Sequence, residues 1–166
     1  MGTTFKFNNP GVPTYDGTNI AENTLVVFTA DHGELLGDHG LLLKGPFIYE
    51  SLLRVGCIMK GPNIPKNQVI DDPVSTLDIP ATLYDYANIT NPMELNGKSL
   101  LGLIHDKANR DFAYSEWDLR SSRTGLELDL RVARTKVAKL IYEEISQTGE
   151  MYILSEDPGE MNNVFN

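Results

Sequence analysis

Residues Leu25 to Ala30 read LVVFTA, an apolar and β-branched run with no polar alternation. Such a run suits a strand covered on both faces, and strands of that kind belong to sheets flanked by helices, that is, to α/β folds. A second run, Leu53 to Pro62 (LRVGCIMKGP), has the same texture and stops at the turn pair Gly61-Pro62. The stretch STLDIPATLYDYANI then predicts a helix capped by Ser75 or Thr76. Its Leu77, Leu83 and Tyr84 fall near one face, and Pro80 sits in the first turn, where a missing N–H does little harm. NGKSLLGLI adds one short helical turn.

From about Asp111 the texture changes. LDLRVARTKVAKLIYEEI is broken by Thr135-Lys136 into two antiparallel strands, and QTGEMYIL supplies a turn and a third. The expected organisation is therefore an extended lead-in over 1–18, an α/β part over 19–110, and a small antiparallel β subdomain over 111–166. The lead-in is rich in Gly, Pro, Asn and Thr and has no apolar h-region, so it does not read as a secretory signal.

Composition narrows the function classes. A formal charge of −9 repels phosphate backbones, so no basic patch for nucleic acid is expected. Six acidic residues and no Lys or Arg lie from Ile141 to the end, a pattern that most often marks a solvated face. No apolar run approaches the ~20 residues of a membrane helix. The single cysteine, Cys57, excludes an intrachain disulfide, and its apolar surroundings place it on a buried strand.

Residues 31 to 40, DHGELLGDHG, hold two of the three histidines. Asp31 and His32 follow a predicted strand directly, and ligands of open α/β sheets bind beyond the carboxyl ends of strands. An Asp oxygen and a His nitrogen, followed by a glycine that lets the chain turn, can both face one cation; the pair suits Ca, Mn or Zn. A second reading pairs Asp31 with Glu34 as a capping box that starts a helical turn at ELL. The residues alone leave both readings open.

The second copy follows Gly37 rather than a strand, and Gly33, Gly37 and Gly40 argue against one helix aligning both copies. A four-ligand zinc site from Asp31, His32, Asp38 and His39 is weakened by the lack of cysteine, which structural zinc usually recruits. His39 thus reads as a loop-fixing hydrogen-bonding residue, or as one that lines the site without binding metal. Lys44, after three leucines and before Gly-Pro, is poorly placed for the routine surface role of most lysines. Near a cation site its ammonium could bind an anionic ester group or the charge that builds up on a leaving oxygen. Glu50 and Arg54, four apart, fit a helical ion pair.

These residues have a familiar order. NTLVVFTADHGELLGDHGLLLKGPFIYESLLRVGCIMKGP closely resembles the later half of type I sulfatases, in the alkaline phosphatase superfamily. There a strand ends in Asp-His-Gly or Asp-Asn-Gly, a GDHG-like loop follows, and a Lys stands twelve residues after the metal-binding His, as Lys44 does after His32. PVSTLDIPATLYDYANI, NGKSLLGLI and the ending GEMYILSEDPGEMNN extend the resemblance over 19–166. It implies a partial alkaline-phosphatase-like sheet, a divalent metal (Ca by resemblance) with Asp31 and His32 as ligands, and Lys44 on the sulfate group.

The resemblance also implies parts that this sequence does not show. The family's remaining ligands are an N-terminal acidic pair, and its nucleophile is a formylglycine made within a C/S-x-P/A-x-R motif. Cys57 lies in CIMKG, which lacks the Pro or Ala and the Arg of that motif. The chain therefore reads as the C-terminal portion of a sulfate-ester hydrolase, inactive or nearly so alone and holding metal weakly. Two alternatives keep the same residues: part of a phosphonate or phosphodiester hydrolase, or a non-catalytic binding or assembly module that self-associates through an exposed sheet edge.

Overall fold

The computed structural model of the chain describes residues 23–90, 93–120, 125 and 127–166. The extended lead-in expected over 1–18 lies outside them. The first run forms strand β1 (Val26–Phe28), which pairs antiparallel with β2 (Ile58–Lys60) in the register Val26↔Lys60, Val27↔Met59, Phe28↔Ile58. Within this chain β1 is not covered on both faces, because Val26 and Phe28 are 50% and 60% exposed. Among the described residues the pair is a two-stranded ribbon with no third strand beside it.

The predicted helix is present as α2 (Asp78–Tyr86), but its buried face is polar. Leu77 and Leu83 are exposed, whereas Asp78 and Thr82 are buried. The reason is a set of backbone partners. The Asp78 carboxylate accepts the N–H groups of Ser75 and Lys98, each at 2.8 Å, and pairs with Arg110. The Thr82 hydroxyl donates to the Asp78 carbonyl at 2.7 Å and accepts the Leu100 N–H at 2.9 Å. Leu77, directly before the helix, makes no side-chain cap bond, but Ser75 closes the turn ahead of it: its hydroxyl accepts the Leu77 N–H at 3.3 Å. Next comes the short helix α3 (Leu101–Ile104), and Leu100, Leu103 and Ile104 form a small core with Met59, Ile64 and Ile70.

The C-terminal part is a four-stranded antiparallel meander: β3 (Phe112–Leu119), β4 (Leu128–Thr135), β5 (Lys139–Glu143) and β6 (Thr148–Tyr152), in that order. The expected break at Thr135-Lys136 is a tight turn in which Thr135 N–H donates to the Ala138 carbonyl at 2.8 Å. Strand β3 was not among the expected ones. It is an edge strand with exposed Phe112, Tyr114 and Trp117, so its apolar residues mark no inner face. The sheet's core joins Leu130, Val132, Ile141, Tyr152 and Leu154 to Ile48, with Tyr49 and Leu53 packed against it. These last three flank or belong to helix α1 (Glu50–Leu53).

Beside this core lies a buried charge. Lys139 points inward from β5 and is 1% exposed. Its ammonium donates to the Ile48 carbonyl at 2.7 Å, pairs with Glu160, and lies 3.7 Å from Glu50. Glu160 completes the link by accepting the Glu50 N–H at 2.7 Å. The expected Glu50–Arg54 helical pair does not form. Helix α1 has only four residues and Arg54 is already extended (φ −85°, ψ 99°), so Glu50 turns to Arg134 at 3.2 Å.

Two tests follow from this packing. Replacing Lys139 by Met strands the buried Glu160 carboxylate, and urea denaturation should show a loss of about 3–5 kcal/mol. The double variant with Glu160→Gln should recover part of that loss. A second test concerns Glu143, whose carboxyl is lowered to about 2 by hydrogen bonds from Ser146 and the Asp129 N–H. An unfolded Glu titrates near ~4.3, so the stability Glu143 contributes is complete above that pH and is lost as pH falls towards 2. Urea midpoints of Glu143→Gln should therefore fall less steeply with acid than those of the parent protein.

Candidate functional site

As the chain leaves β1, Gly33 passes against helix α1. Its N–H donates to the Leu52 carbonyl at 2.8 Å, and a Cβ on Gly33 would lie 1.9 Å from the Ser51 carbonyl oxygen. Only glycine permits that approach, which fixes the first Asp-His-Gly beside α1. No helix begins at Asp31, so the capping-box reading of Asp31 and Glu34 is not supported. Instead Asp31 Oδ1 accepts the His32 N–H at 3.0 Å, and this bond holds the carboxyl below the usual carboxylate range. The side chain is exposed and ionised at neutral pH.

The partners of His32 decide its tautomer. Nδ1 lies 2.7 Å from the Gly33 carbonyl, which can only accept, so Nδ1 carries the proton. Nε2 is then the lone-pair nitrogen. It faces the Lys44 ammonium at 2.8 Å and Asp31 Oδ2 at 3.7 Å. A neutral imidazole whose Nδ1–H is held by a carbonyl, with Nε2 open, is the usual form of a metal-ligating histidine. One carboxylate oxygen and one imidazole nitrogen at this spacing, both reaching a wide cleft, fit a divalent cation. Lys44 Nζ and a cation would compete for the same lone pair. Among the described residues no cluster of three or more His, Cys, Asp or Glu side chains is arranged to hold a metal.

Asp31, His32 and Lys44 line one cleft with Thr29, Arg54 and Lys136. Cys57 is on it too, exposed and one residue ahead of β2, not buried within a strand as expected. The second copy of the motif goes elsewhere. Asp38–Gly40 form a 3-10 turn in which His39 is left-handed, at φ 51°. The His39 ring stacks on Tyr49, with centroids 3.8 Å apart and planes at 7°, and Nε2 donates to the Glu160 carbonyl at 3.1 Å. His39 is thus a loop-fixing residue away from the cleft, and the four residues of the doubled motif do not converge.

The sequence reading did not single out Tyr49, Lys139 or Glu160, the residues that seat His39 and α1. Glu160 stands 121 residues from His39, and its one available signal was the DPGE of the C-terminal ending.

Comparison with known proteins gives the family of the chain. The family described as "N-sulphoglucosamine sulphohydrolase, C-terminal" matches residues 37–166. An uncharacterized sulfatase, YidJ, of Escherichia coli (strain K12) is 31% identical over 143 residues, covering 86% of this chain and 28% of that protein. A solved 2-O GAG sulfatase aligns with a TM-score of 0.78 at 29% identity, over 89% of this chain and 33% of its own. A protein solved with its substrate D-glucosamine-2-N,6-O-disulfate aligns with a TM-score of 0.68 at 27% identity, over 84% of this chain and 29% of its own. The chain thus spans 28–33% of the length of these relatives. With its fold, its ordered motifs and a family match across most of its length, the chain belongs to the sulfatases, with the C-terminal portion of a type I sulfatase as its counterpart.

Proposed function

We propose that this chain supplies the C-terminal share of the active site of a metal-dependent sulfate-ester hydrolase. Asp31 and His32 serve as two ligands of a divalent cation, Ca by family resemblance, and Lys44 contacts the sulfate group. The observation that carries the reading is the convergence of Asp31 Oδ2, His32 Nε2 and Lys44 Nζ at the end of β1, with His32 in the ligating tautomer. The relative solved with a disulfated glucosamine favours a sulfated sugar as substrate.

Each residue has a definable task. The Asp31 carboxylate, kept ionised by the His32 N–H, contributes negative charge and one oxygen ligand. His32 contributes its Nε2, and the Gly33 carbonyl holding Nδ1–H prevents its ring from turning. The Lys44 ammonium donates to an anionic oxygen of the ester and offsets charge that builds up as the S–O bond breaks. A cation bound here would neutralise sulfate oxygens and stabilise the same transition state. Attack on sulfur needs a positioned nucleophile, and Cys57 lacks the sequence context for that role. The chain alone is accordingly inactive or nearly so.

Calorimetry on the purified chain should show weak Ca binding, with Kd on the order of 10⁻⁴–10⁻³ M, lost in both Asp31→Ala and His32→Ala. The same chain should not hydrolyse a chromogenic aryl sulfate above the buffer rate. Turnover abolished by Asp31→Ala would overturn the inactivity, and Ca binding that survives both substitutions would overturn the ligand assignment.

Among the described residues the β1–β2 ribbon has no third strand, and the half-exposed Val26 on it supports a second reading, self-association through a sheet edge. Light scattering over a dilution series should then give a mass that falls with concentration, and Val26→Lys should shift it to monomer. A constant monomer mass for the parent chain would remove this reading.

A further inference from the structure

The second Asp-His-Gly takes no part in the metal pair, yet its histidine makes specific contacts. Residues 35 to 43 form a finger closed by its own backbone: Leu35 N–H donates to the Leu43 carbonyl at 3.1 Å, and Gly37 N–H to the Leu41 carbonyl at 2.8 Å. Lys44 follows directly at the base of this finger, across from His32. The base is therefore the site, and the tip is His39.

Little apolar burial holds the finger down. Leu35 is buried, but Leu36, Leu42 and Leu43 are 82%, 74% and 72% exposed. The finger also carries three non-glycine residues in the left-handed region: Leu36 (φ 50°), His39 (φ 51°) and Leu43 (φ 63°). Such backbone persists only where surrounding contacts determine it. The contacts at the tip come from His39. Its ring lies flat on Tyr49, and its Nε2–H reaches the carbonyl of Glu160. Glu160 is itself left-handed (φ 55°), buried, and fixed by its carboxylate to Lys139 and to the Glu50 N–H. The tip is thus tied to a rigid node of the C-terminal sheet.

We infer that His39 is a positioning residue: by pinning the finger tip to the Glu160 carbonyl, it sets where Lys44 emerges and holds its ammonium beside His32, within reach of Nε2 while no cation takes that lone pair. The inference deepens the reading of Asp31, His32 and Lys44 as one site and rests on it for its functional meaning. Its structural content, the coupling of tip to base, is testable without metal or substrate.

The chain has only three histidines, so ring-nitrogen NMR with ¹⁵N-histidine gives a spectrum that single substitutions assign. Lys44→Met supplies the reference position of His32 Nε2 without its ammonium partner. His39→Phe keeps a ring on Tyr49 but removes the donor, and His39→Gln keeps a donor for the Glu160 carbonyl. The expected result is a His32 Nε2 resonance that moves toward the Lys44→Met position in His39→Phe and stays near the parent position in His39→Gln. A His32 signal unmoved in a folded His39→Phe would overturn the inference, as would equal shifts in both His39 variants. If His39→Phe does not fold, Tyr49→Leu, which removes the stacking, takes its place: the shift toward the Lys44→Met position supports the coupling, and its absence overturns it. Adding Mn²⁺ to the parent chain tests the underlying site separately. Broadening of the His32 signals reports the cation at that residue, and its absence counts against the metal reading while leaving the tip-to-base result intact.

Discussion

The arrangement depends on burying the ammonium of Lys139. A charge taken out of water is tolerated only when partners replace its hydration, and here the partners are the Ile48 carbonyl, Glu160 and, farther off, Glu50. They come from two parts of the chain far apart in sequence. The need to satisfy one side chain on β5 therefore draws the segment before α1 and the C-terminal tail together on the same edge of the sheet. An apolar residue at 139 would fill the space without naming its neighbours; a lysine specifies them through the directions of its donors.

From that node the geometry passes to the cleft by contacts that leave few alternatives. Glu160 engages the first N–H of α1 through its side chain and His39 through its carbonyl. Helix α1 in turn presents the Leu52 carbonyl to Gly33, where any side chain would collide with Ser51. Asp31 and His32 are thus held from one side by the glycine contact. Lys44 approaches from the other, at the end of the finger that His39 seats. The electrostatics are local as well: a carboxylate kept ionised by a backbone N–H, and an imidazole whose Nδ1–H is held by a backbone carbonyl.

What could be read from the sequence divides along the same physical line. The proximity of Asp31 and His32 follows from a strand end and a glycine turn, which are local features, whereas Lys44 was brought beside them only by the family resemblance. The β4–β5 turn at Thr135-Lys136 was legible from local features too. Inward positions were missed where polarity ran against the usual pattern. Lys139 and Glu143 occupy the buried side of β5 with Ile141, and Asp78 and Thr82 occupy the buried side of α2. A reading that equates inward with apolar places Leu77 and Leu83 where those two polar residues are found. The link between His39 and Glu160 joins residues too distant for any local pattern to register. Strand β1 gave the opposite case: its run is apolar enough for two covered faces, while this chain covers it only in part.

The polar seat of α2 has a consequence of its own. A helix bedded on smooth hydrocarbon can roll about its axis at small cost, because dispersion contacts have no preferred direction. Asp78 and Thr82 remove that freedom by meeting backbone N–H groups at Ser75, Lys98 and Leu100, whose positions the chain has already fixed. The azimuth of α2 is thus encoded on its hidden side. Its outward residues, Leu77 and Leu83 among them, can change identity through evolution without turning the helix, so the surface they form keeps one presentation while its chemistry drifts.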